Sequence, residues 1–110
     1  VSDGQVFPTE VRAPRGADVT EVAWSDGTVT RVANEMLRGY CPCAGCQGHS
    51  GTIAFRAGGN AEIDDIVEVG NYALCFRWAD GHESGIFTWE YLRRLGSHAE
   101  RSGREGVLPR

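Results

Sequence analysis

Trp78-Ala79-Asp80-Gly81-His82-Glu83-Ser84-Gly85-Ile86-Phe87-Thr88-Trp89-Glu90-Tyr91-Leu92-Arg93 is the stretch from which the fold of this chain can be read. Tyr72–Trp78 before the turn is rich in strand-forming residues. Asp80-Gly81 signals a hairpin turn, and Ser84–Phe87 reads as the return strand. Thr88 is placed to cap a helix over Trp89–Leu95, with Arg93 and Arg94 suited to its C-terminal end. The same order occurs 54 residues earlier. Trp24-Ser25-Asp26-Gly27 leads through a short strand, Thr28–Val32, to a cap at Asn34 and then Leu37-Arg38. The Asp-to-Leu spacings are 11 and 12. For Asp26-Gly27 a type I′ turn is expected, in which both central residues adopt φ > 0.

Outward from these two units, Val19–Trp24 alternates. Val19, Glu21 and Ala23 fall on one face, and Thr20, Val22 and Trp24 on the other. Val11–Ala13 starts a strand that Pro14-Arg15-Gly16 turns. Ile63–Val69 is β-branched and apolar. The expected class is α+β: pseudo-repeated ββα units forming a small, mostly antiparallel sheet with two short helices on one face. Residues 1–10 read as a polar lead-in, 11–95 as the domain, and 96–110 as a loose, Gly/Arg-rich tail.

The chain has 110 residues, 41% apolar and 24% charged, which suits one soluble domain able to hold its own core. All 11 basic residues are arginine. The absence of lysine excludes a P-loop lysine, a Schiff base and a lysine general base. A net charge of −4 argues against a nucleic-acid partner. No apolar run approaches a membrane span, and no secretory signal is visible, so a cytoplasmic location is expected.

Three of the four cysteines lie within Cys41-Pro42-Cys43-Ala44-Gly45-Cys46. Thiolates at C-x-C-x2-C spacing converge on one ion from a tight loop, and sulfur suits zinc, Cu(I) or iron–sulfur clusters. A closed zinc site needs a fourth ligand, for which His49, His82, Cys75 and His98 are the candidates. His49 would crowd four ligands into nine residues. His82 follows the second hairpin turn and projects from a rigid corner. Cys75 reads as a packed strand residue, and His98 as an exposed residue of the tail. Disulfides and a Cys43–Cys46 redox pair are the rival readings.

The motifs taken together resemble the gamma-butyrobetaine hydroxylase-like N-terminal domain family. They are Leu37-Arg38, Cys41-Pro42-Cys43-Ala44-x-Cys46, Val69-Gly70-x-Tyr72-Ala73-Leu74 and Trp78-x-Asp80-Gly81-His82-x-x-Gly85-Ile86-Phe87-x-Trp89-x-x-Leu92-Arg93. The resemblance runs from about Val11 to Leu95. In gamma-butyrobetaine and trimethyllysine hydroxylases this domain precedes a 2-oxoglutarate oxygenase domain. It also occurs in short bacterial proteins and appended to iron–sulfur scaffold ATPases. The resemblance implies a structural Zn2+ held by Cys41, Cys43, Cys46 and His82, with an iron–sulfur cluster as the alternative. It implies no hydroxylation, because no His-x-Asp pattern is present and the oxygenase fold does not fit in this length.

The expectation is therefore a non-catalytic, zinc-stapled module that contacts a protein partner or an adjacent domain, with a homodimer left open and neither nucleic acid nor membrane as partner. Trp89, Tyr91, Arg93 and Arg94 are the candidate contact surface, although helical spacing turns Trp89 and Leu92 toward the core. Arg38 and Arg93 are read as buttresses for the loops. Asp64, Asp65 and Glu83 are the notable carboxylates for any enzymatic reading, and a solvated turn and strand edge explain them equally well.

Overall fold

The computed structural model describes residues 6–48, 51–83 and 85–109, with the side chains of Ala44 and Pro109 left out. Expectations for residues 1–5, His49 and Ser84 lie outside the described residues. β1 (Pro8–Arg12), β2 (Val19–Trp24) and β3 (Val29–Ala33) form an antiparallel sheet in that order, followed by α1 (Asn34–Gly39). The chain then passes through α2 (Ala44–Gln47) and β4 (Thr52–Ala54). β5 (Ile63–Val69), β6 (Ala73–Trp78) and β7 (Ile86–Thr88) repeat the antiparallel arrangement in the same order, and α3 (Trp89–Ser102) follows. β8 (Val107–Pro109) pairs with β4. The class is α+β with antiparallel pairing, and each unit is βββα. The strands form three small sheets rather than one.

Alternation explains the inward faces. Thr20, Val22 and Trp24 of β2 and Leu74, Phe76 and Trp78 of β6 are buried. They meet Leu37 from α1 and Leu92 and Leu95 from α3 in one core. Gly96 permits close packing of α3 on β3, since a Cβ there would lie 2.5 Å from Thr30 Cγ2.

The two hairpin turns share one geometry, and it is not type I′. Gly27 N–H donates to Trp24 O (3.0 Å) and Trp24 N–H to Thr28 O (2.9 Å). Gly81 N–H donates to Trp78 O (2.9 Å) and Trp78 N–H to His82 O (3.0 Å). Only the glycines have positive φ, 89° and 92°. Each is a three-residue loop closed by a left-handed glycine, so the aspartates need no strained backbone.

The repeats exchange arginines. Arg38 of the first unit binds Asp80 of the second (Nη1–Oδ1 2.9 Å), with its guanidinium carbon 5.8 Å from the Trp78 ring centre. Arg93 of the second unit binds Asp26 of the first (Nη2–Oδ2 3.1 Å) and lies 5.3 Å from the Trp24 ring centre. Each helix thus clasps the other unit's Trp-x-Asp-Gly turn through an ion pair and a cation–π contact.

Five sequence expectations require correction. Pro8–Glu10 belongs to β1 and not to a lead-in. Asn34 is not the cap of α1, whose N-cap is Ala33. Its buried side chain accepts from Thr20 Oγ1 (2.7 Å) and donates to Ala17 O (3.0 Å), tying the helix start to β2. α3 continues past Leu95 to Ser102 because Tyr91, Leu92, Leu95 and His98 keep one stripe buried. Residues 96–109 are therefore not a loose tail, and Arg110 lies outside the described residues. Leu108 is buried in the core, and the Tyr40 hydroxyl reaches the carbonyls of Gly103, Glu105 and Gly106 at 3.2–3.4 Å. Tyr40 also meets His98 Nε2 at 3.0 Å, which leaves His98 buried instead of exposed.

Candidate metal centre

The three cysteines enter the site from one loop whose backbone is held from outside. Cys41 follows α1 and is fully buried. Tyr91 Oη donates to the carbonyl of Tyr40 (2.6 Å), and Gln47 Nε2 donates to that of Cys41 (3.1 Å). Gln47 also acts as a strand edge for β4: Nε2 donates to Ala54 O (2.9 Å), and Oε1 accepts from Ala54 N–H (3.0 Å). The single turn of α2 brings Cys46 back over Cys43, with Cys46 N–H donating to Cys43 O (3.1 Å).

His82 arrives from the other unit. It takes the position that Thr28 occupies in the first hairpin. Its backbone N–H donates to Asp80 Oδ1 (3.1 Å), the oxygen that also accepts from Arg38. Asp80 Oδ2 accepts from Asn60 N–H (3.3 Å). The Arg38 clasp therefore fixes the turn that carries the histidine, and Arg38 lies three residues before Cys41.

His82 Nε2 lies 3.3 Å from Cys41 Sγ, 3.6 Å from Cys43 Sγ and 3.5 Å from Cys46 Sγ. All four ligand atoms lie within 4.8 Å of one another. Zn–S of ~2.3 Å and Zn–N of ~2.0–2.1 Å at the tetrahedral angle separate sulfur from nitrogen by about 3.6 Å. The donor set thus fits one tetrahedral ion, and the group could hold a metal. Gly85 gives the site room, since a Cβ there would lie 2.6 Å from Cys41 Sγ.

Electrostatics favour a cation in the middle. Burial pushes the Cys41 and Cys46 thiols up from their ordinary pKa. Burial also opposes the Cys43 thiolate, but hydrogen bonds from the Cys46 side chain and backbone, then from Cys41 and Gly45, bring that thiol below its usual value. The His82 pKa is lowered by burial and then by the Arg38 charge, which favours the neutral ring that a metal ligand needs. Three thiolates in so small a volume need a positive charge among them.

The structure brings Cys41, Cys43, Cys46 and His82 together and leaves Cys75 and His98 elsewhere. Cys75 sits on β6 with its thiol donating to Glu83 O (3.0 Å). All four cysteines are free thiols. Of the expected contact residues around α3, Tyr91 is buried and bonded to Tyr40 O and so offers no surface, while Trp89, Arg93 and Arg94 are half-buried and Arg93 pairs with Asp26. Asp64, Asp65 and Glu83 are exposed residues with arginine neighbours, Arg15 for Asp64 and Arg77 for the other two. Gln47 is the supporting residue that sequence reasoning missed, and only its place inside a Cys/Gly loop hinted at it.

Among the described residues no helix is long and apolar enough to cross a membrane. No curated protein matches the chain. A crystal structure of a protein of unknown function in the DUF971 family, from Acidithiobacillus ferrooxidans, is 39% identical with a TM-score of 0.64, covering 82% of this chain and 92% of that one. Two solution structures are similar at 28% identity and TM-score 0.71, and at 25% and 0.67. They cover 86% and 89% of this chain and 71% and 78% of theirs. The gamma-butyrobetaine hydroxylase-like, N-terminal family matches residues 11–93. With three quarters of its length matched, the chain belongs to the gamma-butyrobetaine hydroxylase-like N-terminal domain family.

Proposed function

We propose that this chain is a non-catalytic module stapled by a structural Zn2+ on Cys41, Cys43, Cys46 and His82, and that it serves a protein partner or neighbouring domain. The observation that carries the reading is the convergence of three sulfurs on one imidazole nitrogen at 3.3–3.6 Å. A mononuclear tetrahedral ion accounts for that spacing. An iron–sulfur cluster divides its four protein ligands among two or four irons and so spreads them apart, which the convergence of all three sulfurs on one nitrogen disfavours. Four protein ligands leave zinc no open position for water, so the centre holds structure and does not hydrolyse.

In this role the ion joins the loop after α1 to the second hairpin, and its binding energy becomes folding energy. The test is elemental analysis, visible absorbance and thermal melting of the purified chain, with and without prolonged exposure to a strong chelator. One zinc per chain, no visible colour and a large loss of stability on metal removal are expected. Iron with sulfide and a visible band, or a melting curve indifferent to metal removal, refutes the proposal.

A further inference from the structure

β1 and β5 each pair on one side only among the described residues, with β2 and β6 respectively. Residues of both strands line a groove of about 540 Å³, Pro8–Val11 from β1 and Ile63–Ile66 from β5, and Leu74 and Trp89 join the lining. No metal ligand is among its lining residues. Glu10, Asp64, Asp65 and Glu68 line it with Arg15 as the only basic lining residue, while Glu10 also pairs with Arg12 (2.8 Å) and Asp65 with Arg77 (3.8 Å). Arg15 reaches Asp64 at 3.9 Å, with both side chains well exposed. So the groove already attracts a guanidinium, in a pair weak enough to exchange.

We propose that this groove receives an extended, basic segment of a partner protein, which adds as a strand between β1 and β5. The inference deepens the partner-binding reading above and rests on it. Free strand edges supply backbone N–H and C=O groups for the incoming chain, and alternate side chains of that chain meet the two faces. Arginine or lysine on one face pairs with Glu10 and Asp65, which lie opposite Ala23 and Arg77. Apolar residues on the other face cover Val11, Ile63 and Ile66, which lie opposite the buried Val22, Trp78 and Phe76. Charge argues against the other occupants. A second copy docked symmetrically would set like carboxylates against each other, and a nucleic acid would bring more negative charge.

The experiment titrates the full, metal-loaded chain with a synthetic hexapeptide alternating arginine and valine, followed by amide NMR. The controls are a glutamate–valine peptide and an arginine–valine peptide with alternate backbone amides N-methylated. Expected are shifts and slowed hydrogen exchange confined to Thr9–Arg12 and Ile63–Glu68, with the glutamate and N-methylated peptides inert. The double reversal Glu10→Arg/Asp65→Arg, both at exposed positions, weakens binding about tenfold or more while the melting curve holds. Equal binding of the N-methylated peptide, shifts scattered over other acidic surfaces, or a dimer that the reversal dissolves overturns the proposal. Metal content and melting are read on the same sample. Loss of the groove with zinc intact refutes this inference alone, and peptide binding by a stable, metal-free chain refutes the zinc staple alone.

Discussion

Replacing Gly85 with alanine tests whether the hairpin and the cysteine loop are packed against each other at the metal. The added Cβ would stand 2.6 Å from Cys41 Sγ and 3.1 Å from a Phe87 ring carbon. Non-bonded atoms of this size settle at about 3.5 Å or beyond, so roughly 0.9 Å of overlap must be relieved. Gly85 has no positive φ, and the cost is therefore steric alone. Cys41 has little freedom to yield. It is fully buried, its carbonyl is held by Gln47, and the preceding carbonyl is held by Tyr91. Metal–ligand distances tolerate only about 0.2 Å. Overpacking of this kind costs about 1–3 kcal/mol of stability. The displaced sulfur lowers zinc affinity about 10–100-fold, the range for losing a residue that positions a ligand. Zinc competition against a chromophoric chelator and thermal melting read both effects. Gly51→Ala is the control, because nothing lies within 4 Å of its Cβ position. An affinity within twofold of the parent chain, even with a lower melting temperature, would show that the hairpin yields instead of the sulfur and refute the reasoning.

The other predictions concern the clasps, pH and the C-terminal segment. Arg38→Ala weakens zinc binding because Arg38 holds the Asp80 turn that carries His82. Arg93→Ala, its geometric counterpart, lowers the melting temperature with zinc affinity unchanged, because the turn it holds carries Thr28. Hydrogen bonds from the Thr28 side chain and backbone, then from Arg93, hold the Asp26 carboxyl at about 2 against the ordinary 3.8. A depressed value means stability that is present above about pH 4 and lost as pH falls toward 2. Acid melts of Asp26→Asn against the parent chain will show that increment vanish in this window, and parallel curves would exclude it. Leu108→Ala, in the core at 4% exposure, costs about 2–5 kcal/mol in denaturant unfolding, whereas a true tail residue would cost nothing measurable.

The near-repeat of Trp-x-Asp-Gly and Leu-Arg showed the two-unit frame, and the alternation of β2 separated its two faces without saying that the Thr20, Val22 and Trp24 face is the buried one. The helix end at Leu95 was missed because the residues after it are polar in composition. Polarity hid the stripe by which His98 packs on Tyr40, a partner 58 residues away. The type I′ expectation rested on the Asp-Gly dipeptide. The observed loop uses the same dipeptide with one more residue, a distinction of backbone hydrogen bonding that composition does not encode. The division into three sheets was equally hidden, since β4 and β8 are three residues each and find each other across half the chain. Spacing alone left four candidates for the fourth ligand. Among those described, the fold brings only His82 to the cysteines.

The metal centre occupies the place where the two units differ most. In the first, Gly27 is followed at once by Thr28 and β3, and pairing with β2 runs from Ala23–Val29 to Val19–Ala33. In the second, residues 82–85 separate Gly81 from β7, and among the described residues pairing with β6 covers Cys75–Ile86 to Ala73–Thr88. The Asp-to-Leu spacing grows by just one residue, so the inserted turn is made mainly by shortening the strand. Among the described residues the second ladder is the shorter, and each ladder hydrogen bond contributes about 0.5–1.5 kcal/mol. The chain so released carries His82 to the three sulfurs and leaves Gly85, without a Cβ, against Cys41. A structural zinc of the kind proposed would contribute considerably more than a few such bonds, since its binding in small domains amounts to roughly 10–16 kcal/mol. The second hairpin should therefore be the less stable of the two without metal. Hydrogen exchange of the chelated chain ought to release the amides of β7 before those of β3, and equal protection in both hairpins would show that the shortened ladder does not depend on the metal.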